Sequence, residues 1–149
     1  MSVIVFHAGI VAADTRAGFG NGWISPERAQ KIWTTPHGVA GIVGDWAPVD
    51  VIREWTFTNL KKPPPKVGEK TTIIEFHRGD GVFVTENDWR FRQTIGPHGF
   101  LAWGSGRIPA MGAFYAGVDA RRAVEIAMLL DNDCGGDVTV LPLEEDDNG

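Results

Sequence analysis

The chain has 149 residues, of which 43% are hydrophobic and 22% are charged, as expected for a soluble globular protein with one sizeable core. Its formal net charge of −5 and the lack of a basic stripe exclude an obvious nucleic-acid surface, and no apolar run approaches the ~20 residues that span a bilayer. The single cysteine, Cys134, excludes a disulfide framework and a multi-cysteine zinc site, and fits a reducing, cytoplasmic location.

The N-terminal half predicts mostly short strands. β-branched and aromatic residues mark strands, whereas glycine and proline mark turns. In chain order, the predicted elements are a strand over 3–6, a turn at 7–9, a strand over 10–13, a loop over 17–22, a helical turn at 25–27, a strand at 31–33 and a buried strand over 39–44. Asp45 then predicts the cap of a helix whose apolar face carries Val49, Ile52, Trp55 and, at its end, Leu60.

The C-terminal half predicts a second hairpin, two helices and a final strand. It begins after an irregular proline-rich loop over 61–69. The predicted elements are strands over 71–76, 82–85, 88–94 and 100–103, a helix from about 109 to 116, a helix capped by Asp119, and a strand over 138–141. This order suits two stacked antiparallel sheets with helices outside, as a single domain over residues 1–143 with an acidic tail over 144–149.

The most informative stretch is the apolar run 10–13, which ends in Asp14, Thr15 and Arg16. A carboxylate and a guanidinium at the end of a buried strand are rarely buried without partners. One explanation is a structural salt bridge that caps the strand, and the other is a functional site. Buried ion pairs occur both as structural elements and in active sites, so the pattern alone does not decide between them.

Five segments follow one another in a characteristic order. They are Ala12-Ala13-Asp14-Thr15-Arg16, Lys31-Ile32, Gly41-Ile42-Val43-Gly44, Gly104-Ser105-Gly106, and Asp131 with Cys134-Gly135-Gly136. Together they resemble the proteasome β-subunits and the related bacterial HslV peptidase, with cysteine replacing serine in the last segment. The resemblance implies an α+β fold, the four-layer αββα sandwich of the N-terminal-nucleophile (Ntn) hydrolases, and a homo-oligomer assembled as a ring.

The resemblance also implies a peptidase that cleaves peptide or protein substrates without a cofactor. The Ser2 hydroxyl would be the nucleophile and its own α-amine, freed by removal of Met1, would be the base. Lys31 would polarise the hydroxyl, Asp14 would orient Lys31, and the Gly44 N–H would donate to the oxyanion. The residues implied to support this site are Ser105, Asp131, Arg16, Cys134 and Gly135.

Two roles stay open at this point. The implied specificity pocket is lined by Ala17, Ala29, Ile42 and Trp46, but Trp46 would either fill that pocket, shape it, or belong to the core. Cys134 would contribute to the site through its backbone, or serve as a small buried filler. The histidines do not pair at ligand spacing, so no metal site is predicted, and an unfoldase partner stays unassigned.

Two features depart from the family. Asp14 follows Ser2 by 12 residues, about four fewer than in the family, so Ser2 fits the first position only if the hairpin is shortened at 7–9. One helix rather than two is predicted after Gly44, so one outer helix is expected to be missing.

Two alternatives stand beside the peptidase: a catalytically inactive structural or assembly protein, for example of a viral particle, and an amidase acting on a small non-peptide amide.

Overall fold

The computed structural model describes residues 2–18, 24–58 and 61–144. Its strands are β1 (Ile4–His7), β2 (Ile10–Asp14), β3 (Arg16–Gly18), β4 (Ile24–Arg28), β5 (Ile32–Thr35), β6 (Gly38–Gly44), β7 (Thr71–His77), β8 (Gly81–Glu86), β9 (Trp89–Gln93), β10 (Leu101–Trp103) and β11 (Val138–Pro142). Its helices are α1 (Val49–Thr58), α2 (Arg107–Tyr115) and α3 (Ala120–Leu130), and none of these described helices is long and apolar enough to cross a membrane.

Two stacked antiparallel sheets form the centre of the fold. The first has the strand order β10-β1-β2-β11 and the second β5-β6-β7-β8-β9, while β3 and β4 form a separate ribbon. Side chains such as Ile4, Phe6 and Phe76 fill the space between the two large sheets. Helices α2 and α3 cover the outer face of the first sheet, and α1 covers part of the second. The predicted αββα sandwich is therefore confirmed.

The β1–β2 hairpin is closed by the two-residue turn Ala8–Gly9. Both turn residues have positive φ, 52° and 76°, as the tightest hairpin turns require. The unbroken pairing register continues until Val3 lies opposite Asp14, where the Asp14 amide donates to the Val3 carbonyl at 3.3 Å. The short hairpin therefore keeps Ser2 next to the Val3–Asp14 pair.

Some local predictions are wrong. Residues 25–27, predicted as a helical turn, belong to β4, because pairing with β3 outweighs the local turn signal of Pro26. Positions 17 and 18 of the predicted loop belong to β3, and residues 19–22 lie outside the described residues. Tertiary pairing thus decides the conformation of this segment rather than its composition.

The helix boundaries also differ from those predicted. The α1 helix begins at Val49, and Asp45 instead accepts the Ala47 amide at 3.2 Å in a local turn. The α2 helix begins at Arg107, since proline is tolerated within a first helical turn. Leu60 and residues 145–149 of the predicted tail lie outside the described residues.

One outer layer of the fold is thinner than in a complete sandwich of this type. Within the described residues between α1 and β7, positions 61–70 form neither helix nor strand, as the proline-rich composition predicts. The outer faces of β7 and β8 instead carry the buried carboxylate of Glu75, which is 2% exposed and lies 3.0 Å from His77 Nε2 and 2.9 Å from Arg90 Nε. Burial raises the pKa of Glu75, but the hydrogen bonds from His77 and Arg90 outweigh it and hold the pKa below its ordinary value.

Candidate active site

Asp14 and Lys31 form an ion pair inside the protein. Asp14 ends β2, Lys31 immediately precedes β5, and Lys31 Nζ lies 2.9 Å from Asp14 Oδ1. The side chains of Lys31 and Asp14 are only 2% and 0% exposed. The contact expected from the sequence is therefore present, and exclusion of water makes the two charges depend strongly on each other.

The Asp14 carboxylate also joins two other segments of the chain. Its Oδ1 accepts the Val3 amide at 3.1 Å, and its Oδ2 accepts the Gly135 amide at 3.0 Å. One carboxylate thus links the N-terminal strand, Lys31 and the glycine pair that follows Cys134. These bonds fix the orientation of the carboxylate and leave it little rotational freedom.

Ser2 is held by the turn at 104–106. Its carbonyl oxygen accepts the Gly106 amide at 3.1 Å, and Ser2 is 4% exposed. Gly104 has a φ of 94°, and a methyl group on it would overlap the Ser2 carbonyl oxygen. Only glycine permits this close approach, so the turn determines where the Ser2 backbone lies.

Asp131 forms the polar centre of a second cluster. Its carboxylate interacts by hydrogen bonds with the side chains of Ser105 and Cys134, and it accepts the Asp133 amide at 2.9 Å. Burial raises the pKa of Asp131, but these hydrogen bonds lower it below its ordinary value. The turn that holds Ser2 is therefore tied through Ser105 to the segment that carries Cys134.

Cys134 is packed as a small buried residue. It is 1% exposed and belongs to the core cluster beneath α2 and α3. Burial, together with the negative charges of Asp14 and Asp131, raises the pKa of the thiol to about 12. Because the thiolate is the reactive form, burial and the raised pKa both disfavour a nucleophilic role for Cys134.

Arg16 holds the segment that follows Asp131. Its Nη1 donates to the Asn132 carbonyl at 2.9 Å, and any side chain at Gly135 would overlap its guanidinium. The Arg16 amide donates in turn to the Gly135 carbonyl at 3.1 Å. Arg16 therefore contacts the loop beside the buried pair rather than the pair itself.

Gly44 ends β6 at the mouth of an open cleft. Its φ is 96°, and a methyl group on it would overlap the Lys70 carbonyl oxygen, so the position requires glycine. Gly44 and Gly104 line the same cleft, which has a volume of ≈ 410 Å³. The cleft therefore extends from the residue implied as oxyanion donor to the turn that contacts Ser2.

Two of the residues implied to line the specificity pocket are buried. Ile42 is 1% exposed and Ala29 is 7% exposed, and Ile42 packs with the apolar face of α1. Trp46 packs against the same core cluster, which favours the interpretation that it belongs to the core. Ala17 lies apart from this cluster, in β3, and is partly exposed.

Arg53 also belongs to this region and was not identified from the sequence. Its guanidinium lies 5.0 Å from the ring centre of Trp33 and 5.7 Å from that of Trp46, and it donates to the Gln30 carbonyl at 2.7 Å. Such a cation over aromatic rings is stabilising. Nothing in the sequence separates Arg53 from an ordinary polar residue of α1. Arg107 was not identified either. It directly follows the Gly104–Gly106 turn, and this position could have marked it as a neighbour of the candidate site.

The described residues contain no group of three or more His, Cys, Asp and Glu side chains that could hold a metal ion.

The fold is shared with solved structures of two named proteins. No protein-family model and no curated protein matches this sequence. HslV from Trypanosoma brucei is similar with a TM-score of 0.64 and 18% identity, over 97% of this chain and 99% of that chain. BPH from Thiobacillus denitrificans, in complex with epoxomicin, is similar with a TM-score of 0.65 and 21% identity, again over 97% of this chain and 99% of that chain. The chain therefore has the fold of the HslV-type Ntn hydrolases.

Proposed function

We propose that this chain is an Ntn peptidase that cleaves amide bonds with Ser2, after Met1 has been removed. The observation that supports it most strongly is the solvent-excluded Asp14–Lys31 pair, which adjoins the fixed backbone of Ser2. A buried lysine that a carboxylate keeps beside a chain terminus is suited to stabilising a deprotonated amine and hydroxyl.

In the proposed reaction, the Ser2 Oγ attacks the carbonyl carbon of the substrate while the Ser2 α-amine takes the hydroxyl proton. An α-amine titrates close to neutral pH, so a useful fraction of it is unprotonated. The protonated α-amine then gives its proton to the departing amine. Water, deprotonated by the same α-amine, hydrolyses the ester formed on Ser2 and regenerates the hydroxyl.

The surrounding groups of the proposed site act by position and charge. The Lys31 ammonium favours the unprotonated α-amine and stabilises negative charge on the Ser2 oxygen, while Asp14 keeps Lys31 in place. The Gly44 N–H donates to the oxyanion of the tetrahedral intermediate. Ser105 and Asp131 hold the turn and the loop between which the terminus lies.

We include self-association and a cytoplasmic location in the proposal. The exposed side of α2 and the end of α3 carry large apolar side chains, including Ile108 (64% exposed), Tyr115 (66%) and Leu129 (75%). Exposed apolar residues grouped in this way are typical of protein interfaces. Light scattering of the purified chain distinguishes a monomer from a ring.

The decisive experiment follows the N-terminus and the nucleophile together. An intact mass that still includes Met1 would contradict the proposed mechanism, since Ser2 would then lack a free amine. In the Met1-free protein, Ser2→Ala should lower the turnover of fluorogenic peptides by about 10³-fold or more. Thr58→Ala, which removes an exposed hydroxyl at the end of α1, is the matched control and should leave turnover unchanged.

Since the structural neighbour BPH binds epoxomicin, we expect this compound to inhibit turnover.

A structural or assembly role is the second candidate, and the burial of Ala29 and Ile42, which leaves little room for a substrate group beside them, favours it. In that case the Asp14–Lys31 pair is only a buried structural ion pair. Met1-free protein that hydrolyses neither peptides nor small acyl amides, with Ser2→Ala leaving assembly unchanged, would support this candidate. Turnover of small acyl amides alone would instead support a non-peptide amidase.

A further inference from the structure

The open cleft beside Ser2 is large enough to bind part of a substrate. Its volume of ≈ 410 Å³ lies within the range of about 300–1,000 Å³ that is usual for ligand pockets. Gly104, which lines the cleft, is packed against the Ser2 carbonyl, and Gly44 also lines it. The cleft therefore reaches the turn that contacts the backbone of Ser2.

Each of these glycines lies beside an exposed cation. The Lys70 carbonyl is packed against Gly44 and accepts the Asp45 amide at 2.8 Å, so Lys70 is fixed beside that glycine. Arg107 Nη1 donates to the Gly104 carbonyl at 3.0 Å, which places its guanidinium beside the other glycine. Both side chains line the cleft and are exposed. The cleft is thus bordered by positive charge at both glycines.

The cleft lining also carries two acidic residues. Glu86 ends β8 and lies one residue beyond the Ile73–Thr85 pair, so it is close to the start of β7, which follows Lys70. Glu69 precedes Lys70 and is exposed. Over the part of the chain that the structure describes, neither Lys70 nor Arg107 forms an ion pair with a carboxylate. Both cations are therefore available to an anionic ligand.

The cleft and the implied specificity pocket lie on opposite faces of β6. Consecutive strand residues point to opposite faces, and Ile42 packs towards α1 whereas Val43 packs between the sheets and lines the cleft. A bound amide extends from Ser2 in two directions. Little space remains on the side of Ala29 and Ile42, so the cleft is the open side, and we assign it to the amine part of the amide.

We propose that the cleft binds the amine part of the substrate and that Lys70 and Arg107 recognise a carboxylate on it. This inference rests on the proposed peptidase function and extends it to the chemistry of the leaving group. Charge-assisted hydrogen bonds from lysine and arginine are the strongest that proteins form with carboxylates. The carboxylate comes either from a nearby free C-terminus or from an acidic side chain.

Binding of leaving-group peptides tests the inference without turnover. The probes are the tripeptide Ala-Gly-Phe with a free C-terminus, the same peptide amidated, and amidated Ala-Glu-Phe. Calorimetry with the full chain should show at least about tenfold tighter binding of one carboxylate-bearing probe than of amidated Ala-Gly-Phe, and the tighter probe identifies the source of the carboxylate. The preference should shrink at high salt, because both cations are exposed.

Matched variants locate the effect. The double variant Lys70→Met/Arg107→Met should lose the preference, whereas Lys66→Met/Arg121→Met, which removes two exposed cations outside the cleft, should keep it. Equal binding of all three probes, or a preference retained in the Lys70/Arg107 variant, would overturn the inference.

A fluorogenic peptide with a coumarin leaving group carries no carboxylate on its amine side, so its turnover tests the peptidase proposal alone. If this substrate is turned over but the binding experiments show no carboxylate preference, only the proposed role of the cleft is overturned. Conversely, a carboxylate preference without turnover supports the cleft and counts against the peptidase.

Discussion

Replacing Asp14 with asparagine tests how the buried pair contributes to the molecule. The Asp14→Asn change preserves shape but removes the negative charge that lies 2.9 Å from Lys31 Nζ. The backbone amides of Val3 and Gly135 donate to the two oxygens of this carboxylate, and only one of these oxygens would remain in asparagine. Lys31, which is 2% exposed, would then be a buried cation without its counter-ion.

The expected loss of stability follows from that uncompensated charge. Breaking a buried ion pair by removing one partner costs about 3–5 kcal/mol. A domain of this size has a total free energy of unfolding of about 5–15 kcal/mol, so the variant should fold but be markedly less stable. Adding Lys31→Met removes the stranded cation, and the double variant should therefore be no less stable than Asp14→Asn alone, with a coupling of about 2 kcal/mol or more.

Urea unfolding at pH 7, followed by the fluorescence of the 6 tryptophans, measures these differences. Asp80→Asn is the matched control, since Asp80 pairs with Arg92 at the surface and its loss should change the free energy of unfolding by less than about 1 kcal/mol. The reasoning is refuted if Asp14→Asn costs less than about 1 kcal/mol, or if the effects of Asp14→Asn and Lys31→Met simply add.

Three further predictions concern the supporting structure. Gly104→Ala should lower the free energy of unfolding in urea by about 1–3 kcal/mol and slow turnover, because its methyl group overlaps the Ser2 carbonyl. Gly117→Ala is the control: its φ of 102° is similar but its surroundings are open, so it should cost less and leave turnover intact. Folding lowers the pKa of Glu75, so its contribution to stability is present above the ordinary pKa of 4.5 and is lost as the pH falls through the folded value. Glu75→Gln should therefore make the free energy of unfolding less dependent on pH between pH 3 and 7. An unchanged pH dependence would contradict the assignment. Cys134 should resist iodoacetamide at pH 8 until urea unfolds the chain, as followed by intact mass, and rapid labelling of the folded protein would show that the thiol is accessible.

Strong local signals predicted much of the fold. The Asp119 side chain caps α3 by accepting the Arg122 amide at 2.9 Å, and the hairpin of β7 and β8 follows its alternating apolar residues. The contact between Asp14 and Lys31 was expected as well, because the resemblance supplied a long-range relation that local patterns lack. The roles of these two residues in catalysis stay predictions.

The features that the sequence did not reveal depend on contacts between distant segments. Strand β4 exists because it pairs with β3, although Pro26 favours a turn. Arg53 looks like a surface residue of α1 until Trp33 and Trp46 are placed on either side of it. Glu75 interrupts an apolar strand, and only the position of Arg90 on β9 explains how its charge is tolerated.

The position of β1 in its sheet has a consequence for biosynthesis. Ile4 of β1 pairs with Ala13 of the neighbouring β2, but also with Trp103 of β10, and β2 in turn pairs with β11, where Val138 lies opposite Asp14. Because β10 and β11 lie far from β1 and β2 along the chain, this sheet is completed by non-local pairing, which forms slowly. The turn that fixes Ser2 and the loop that donates to Asp14 are also translated late. The proposed catalytic centre is therefore complete only after these C-terminal segments have been synthesised and have paired with β1 and β2.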